Sequence, residues 1–131
     1  MIIQHKVKRT AEARAARKQY VNERCRVVIE SGFTSSALGA PHFYEFRDYD
    51  QSNIQAAFSL VKETGQPRPL KCFDSEGVEG YRPHTEAQFV QLGLDAEAHK
   101  MTALSKVLQL RQMIDGASTV EEVQEVSWDS L

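Results

Sequence analysis

From Thr85 to about Ile114 the sequence reads as one uninterrupted helix, opened by the capping-box pair Thr85 and Gln88. Apolar residues Phe89, Val90, Leu94, Ala98, Met101, Leu104 and Leu108 recur along it, and Gly93 is a local weakness worth about 1 kcal/mol relative to alanine. In its second half Leu104, Val107, Leu108, Leu110 and Ile114 point to more than one face. A helix with two apolar faces needs two covers. One of them is a candidate surface for another chain.

The remaining elements follow from turn and cap signals. MIIQHKVKR alternates loosely between apolar and polar, which predicts a short strand or an extended arm. Thr10 then caps a helix through Ser31, with Ala13, Ala16, Tyr20, Val27 and Val28 as its apolar stripe and Gly32 as its stop. Two short strands flank the Leu38-Gly39-Ala40-Pro41 turn. Asp50 or Ser52 caps the next helix, Ser52 with Gln55 having capping-box spacing, and Ile54, Ala57, Phe58 and Val61 form its inner face up to Gly65.

After the linker GQPRP, the segments LKCF and VEGYR form a second hairpin about the Asp74-Ser75-Glu76-Gly77 turn, and Pro83 ends the pairing. Gly116 closes the long helix. A last short helix opens at Ser118 with Glu121 or at Thr119 with Glu122, turning Val120, Val123 and Val126 back towards the long one, and Trp128 packs near the end. The order is helix, β-hairpin, helix, β-hairpin, long helix, short C-terminal helix, an α+β fold with a small antiparallel sheet. At 131 residues and 41% apolar the chain holds one core. The expected organisation is a basic arm and helix start over residues 1–23 and a single α+β domain over 24–131.

Charge is divided unevenly. From Met1 to Arg26 eight Lys/Arg face two acidic residues, a net +6, which leaves −8 for the remainder. Within that basic front Lys6, Lys8, Arg9, Arg14, Arg17, Tyr20 and Arg24 are the expected partner-binding residues. Alanines between them let another backbone approach closely, and arginines offer paired contacts to carboxylates. Phosphates are the alternative target, in a small nucleic-acid-binding module; the residues interleaved with the arginines are alanines, not base-stacking aromatics, and this together with the acidic body disfavours it.

Chemistry has few candidates. His42 with Asp48 and Asp50 is the one set resembling an acid–base cluster, yet Asp48 and Asp50 stand where a helix start needs acceptors. The four histidines, His5, His42, His84 and His99, lack metal-ligand spacing, and Cys25 and Cys72 form neither a zinc pattern nor a disulfide framework. Gly77-Val78-Glu79-Gly80 sits in a hairpin and carries acid where a phosphate loop carries lysine. The reading is therefore non-enzymatic, without cofactor or metal. No apolar run approaches the roughly 18 residues of a membrane span, and Met-Ile-Ile is too short for a signal peptide, so a cytoplasmic protein is expected.

Five segments in order carry a family resemblance: ESGFTSSALG closing an arginine-rich helix, DYDQSNIQAA, KCFDSEGVEGYRPHT, KVLQLRQMIDGA and STVEEVQEVSWDSL. The chain from about Arg24 to Trp128 resembles a phage- and prophage-encoded domain of unknown function found in tail-fibre and tail-fibre-assembly-related proteins of tailed bacteriophages. The resemblance rests on order and spacing, and the basic first twenty residues depart from it. It implies a tail accessory that binds fibre, spike or baseplate, or else an assembly chaperone absent from the mature virion. It brings no catalytic residues. The implied location is the host cytoplasm during assembly and then the virion tail, with tail proteins as partners and a second copy of the chain as a further candidate.

Overall fold

The structure, a computed structural model, describes the backbone from Ile2 to Leu131 and the side chains from Gln4 onward. Its elements are α1 (Ile2–Glu30), β1 (Phe33–Ser35), β2 (His42–Tyr44), α2 (Asp48–Thr64), β3 (Arg68–Phe73), β4 (Glu79–His84), α3 (Glu86–Gly116) and α4 (Val120–Glu125), followed by a 3-10 turn at Trp128–Ser130. This is the expected α+β class with a four-stranded antiparallel sheet in the order β1-β2-β3-β4. No helix among the described residues is long and apolar enough to cross a membrane.

The chain falls into two compact units. One unit comprises residues 1–27 with 102–131, and the other residues 28–101. α3 contributes residues to both.

In the sheet unit, Phe33, Tyr44, Phe46 and Cys72 pack with Val61 of α2 and with Phe89, Leu92 and Ala96 of α3. Phe33 stacks on Tyr44 at 5.6 Å and meets Phe46 edge-on at 5.1 Å. Burying each such side chain contributes about 1.5–3 kcal/mol. Two glycines set this geometry. Gly65 ends α2 in the left-handed region at φ 71°, its N–H reaching the Val61 carbonyl at 2.8 Å. Gly32 joins α1 to β1 at φ 96°, where an added Cβ would lie 2.3 Å from the Phe43 ring and 2.6 Å from the Tyr44 carbonyl.

A buried polar pair lies beneath the sheet. The Nδ1–H of His84 donates to the Arg82 carbonyl at 2.6 Å, so Nε2 accepts from the Tyr44 hydroxyl at 2.8 Å. Burial lowers the His84 pKa and raises that of Tyr44, so both groups stay neutral. In the helical unit the buried apolar residues are Val21 and Cys25 of α1, Ala103, Val107, Leu110 and Ile114 of α3, then Ala117, Val123, Val126 and Trp128. The Lys106 ammonium lies 4.8 Å from the centre of the Trp128 ring.

Several local expectations are corrected. The first residues are helical from Ile2, because glutamine, lysine and arginine favour helix, the alanine-rich run from Ala11 continues it, and no Gly or Pro interrupts before Gly32. Thr10 therefore lies inside α1, its hydroxyl donating to the Lys6 carbonyl at 2.9 Å. The buried stripe of α1 runs through Thr10, Val21 and Cys25, while Tyr20 and Val27 are exposed. α2 starts at Asp48 after an Arg47 N-cap, and Asp50 reaches back to the Arg47 N–H at 2.9 Å. Ser52 is a turn inside, donating to the Asp48 carbonyl at 3.2 Å. Pro83 stands within β4 opposite Pro69, and pairing continues to His84. At the last helix the second of the two expected starts holds: Thr119 is the cap, accepting from the Glu122 N–H at 3.1 Å.

Two outcomes follow. Gly32→Ala combines a left-handed φ with two sub-van-der-Waals contacts, so it lowers stability by about 2 kcal/mol or more in urea unfolding. The second concerns pH. An unfolded His84 takes up its proton near pH ~6.5, whereas the folded state resists protonation to lower pH. Stability from this group is thus complete above that range and declines as pH falls through it. Urea midpoints of the native chain drop on acidification in that window, and His84→Phe flattens the drop while costing about 1–3 kcal/mol at neutral pH.

Candidate functional site

The basic residues of α1 divide into two sets. One set is bound within the helical unit. Arg14 Nη2 donates to the Ala117 carbonyl at 2.7 Å, one residue beyond α3, and Arg17 Nε donates to the Val126 carbonyl at 2.6 Å, the C-cap of α4. The last turns of α3 and α4 carry no basic residue of their own, so arginines from α1 supply the positive charge that helix C-termini attract. Lys18 adds an ion pair to Asp115 at 2.5 Å, and that contact holds the Asp115 carboxyl below its ordinary pKa. The Arg17 guanidinium also sits 4.1 Å from the centre of the Tyr20 ring.

The second set faces outward. Lys6 and Arg9, with His5 and Thr10, form one wall of an open groove of about 610 Å³, and Thr119, Val120 and Glu121 form the other. Lys8 and Arg24 are exposed on α1 outside that groove. Of the seven residues expected to bind a partner, the structure thus gathers Lys6 and Arg9 at one place. It sets Lys8 and Arg24 on the surface, stacks Tyr20 under Arg17, and turns Arg14 and Arg17 inward. His5 and Glu121 were not singled out from the sequence. His5 lies four residues before Arg9, a spacing that puts both on one helix face, but nothing local links them to Glu121.

The long helix also presents apolar side chains to solvent. In the sheet unit these are Val90, Leu94 and Met101, with Leu94 61% exposed, and in the helical unit Leu104 and Leu108, with Leu108 60% exposed. Leucines left open to this degree in number are a feature of contact surfaces.

The acid–base candidates do not converge. His42 Nδ1 lies 2.8 Å from the carbonyl of Ala40 in its own turn, and Asp50 serves the backbone N–H and Nε of Arg47. His99 Nε2 lies 3.1 and 3.0 Å from the carbonyls of Val28 and Ile29. Among the described residues no three His, Cys, Asp or Glu side chains gather as metal ligands would.

A family described as a domain of unknown function (DUF4376) matches residues 12–127. No curated protein and no solved structure gives a significant match.

The division of the arginines is open to measurement. Arg14→Ala leaves the Ala117 carbonyl without its donor and destabilises the protein by about 1–3 kcal/mol in urea unfolding. Lys6→Ala with Arg9→Ala shifts the same transition by no more than about 0.5 kcal/mol.

Proposed function

This chain belongs to the DUF4376 family, and from the resemblance of its ordered segments to a domain of tail-fibre-related phage proteins we propose that it is a non-enzymatic accessory of the bacteriophage tail, an adaptor that binds the fibre, spike or baseplate. The observation that carries the proposal is the groove beside the first turns of α1. There His5, Lys6 and Arg9 stand open opposite Glu121, while Arg14, Arg17 and Lys18 are engaged inside the unit. Such a wall pairs with carboxylates on a partner, and the single glutamate opposite selects a partner that also carries a cation. The exposed leucines of α3 add apolar area of the kind that anchors an interface. The same leucines favour a second reading, an assembly chaperone that holds an unfinished fibre and then leaves.

Binding of the purified chain to the separate tail fibre, spike and baseplate proteins is expected for one of them. Lys6→Glu with Arg9→Glu weakens that binding by about tenfold or more, with the unfolding midpoint unchanged. Mass spectrometry of purified virions separates the two readings: an adaptor is present in the particle, and a chaperone is absent. No binding to any of the three proteins would overturn both.

A further inference from the structure

The sheet unit holds a cleft that the tail-binding proposal does not use. It lies between the first half of α2 and strand β3, with a volume of about 260 Å³. Tyr49 and Asn53 rise from α2 on one side, and Pro69, Lys71 and Tyr81 stand on the other. Lys71 and Tyr81 are direct cross-strand partners, so their side chains share a face.

The charges in this cleft are matched. One oxygen of Glu45 takes the Lys71 ammonium at 2.9 Å and the other accepts from Arg47. Asp50 receives Arg47 Nε at 3.0 Å. The Glu45 contact raises the Lys71 pKa, so the ammonium persists across neutral pH. An incoming anion would therefore meet two carboxylates already paired, and an incoming cation would meet Lys71. Neither has an uncompensated partner. Neutral ligands do have partners. An ammonium carries three donors, and Lys71 directs one to Glu45 and reaches Glu79 only at 3.9 Å. The Asn53 amide and the Tyr49 and Tyr81 hydroxyls make no hydrogen bond among the described residues. Tyr49 is 54% and Tyr81 71% exposed; the Arg47 guanidinium lies 4.8 Å from the centre of the Tyr49 ring and covers one of its faces, so the surface open to a ligand at the mouth is the other face of Tyr49 and the ring of Tyr81.

Aromatic faces beside free amide, hydroxyl and ammonium donors match a ring with apolar C–H faces and a rim of hydroxyls. The volume falls just below the range of about 300 to 1,000 Å³ usual for ligand clefts, so it admits no more than one ring at a time. We infer that this cleft binds a neutral saccharide, one pyranose ring seated between Tyr49 and Tyr81, with its hydroxyls on Asn53 and Lys71. The inference goes beyond the tail-accessory proposal and does not depend on it, since the cleft is a property of the sheet unit. A contact of this size has a dissociation constant on the order of millimolar.

Saturation-transfer NMR on the full chain tests it, with glucose, galactose and N-acetylglucosamine as neutral probes and N-acetylneuraminic acid and glucosamine as charged ones. Transfer to the ring protons of at least one neutral sugar is expected, with weaker transfer to both charged probes. Tyr81→Ala and Asn53→Ala each cut the transfer about fivefold or more at an unchanged urea midpoint, because both side chains are exposed. Absence of transfer from all three neutral sugars at tens of millimolar would overturn the inference. So would transfer that survives both substitutions, or equal transfer to the charged probes.

Discussion

The helix α3 has to serve two cores, and most of the structure follows from that. Phe89, Leu92 and Ala96 meet the sheet, and Ala103, Val107, Leu110 and Ile114 are buried in the helical unit. Within each unit these residues are three or four positions apart, so each set lies on one face of its own part of the helix and is covered by that unit. The chain leaves Val90, Leu94 and Met101 open in the sheet unit and Leu104 and Leu108 open in the helical unit. A helix in isolation gains little from propensity alone, so the buried sets account for its order and the open residues add nothing to folding. The open leucines are therefore a cost in solubility that binding would relieve.

The ends of α3 and α4 pose a second demand. A helix C-terminus exposes carbonyls with partial negative charge, and neither of these helices brings a basic residue to its last turn. Arg14 and Arg17 meet the demand from α1. An arginine suits this task because it keeps its charge and is less strongly hydrated than a lysine ammonium. Burial still has a cost: Arg14 Nε is buried without a partner. In the sheet unit the polar demand is met differently, by a neutral pair. Tyr44 and His84 satisfy one another and the Arg82 carbonyl without placing a charge among Phe33, Phe46 and Phe89.

What the sequence conveyed was what local rules determine. The two hairpins, the cap at Gly65, the start of α3 at Thr85 and the helix from Thr119 all rest on residues within a few positions of one another. The errors came where a local rule had a rival. Asp50 and Ser52 both look like caps, and only the backbone decides that Asp50 reaches back to Arg47 while Ser52 bonds within the helix. Thr10 preceding an alanine-rich run has the look of a cap, yet helix-favouring residues before it carry the helix past it. The inward turn of Arg14 and Arg17 could not be read at all, since their acceptors lie 103 and 109 residues away. The cleft was closer to reach, because the Asp74–Gly77 turn fixes the register that sets Lys71 opposite Tyr81.

The inward turn of those arginines also alters what the charge of α1 means. Counted along the sequence, its first 26 residues carry +6 and resemble a row of phosphate contacts. Counted by partner, Arg14 and Arg17 bind backbone carbonyls, Lys18 binds Asp115 and Arg26 binds Glu23. The residues remaining at the open groove are His5, Lys6 and Arg9, and Glu121 faces them. A nucleic-acid backbone is uniform in sign and is held by many uncompensated cations in series. A short wall of positive groups with a carboxylate across from it discriminates against such a polymer and complements a folded surface of mixed sign. Of the eight cations in that front, Arg14, Arg17, Lys18 and Arg26 are thus tied within the chain, and the outward half is what the proposed protein contact rests on.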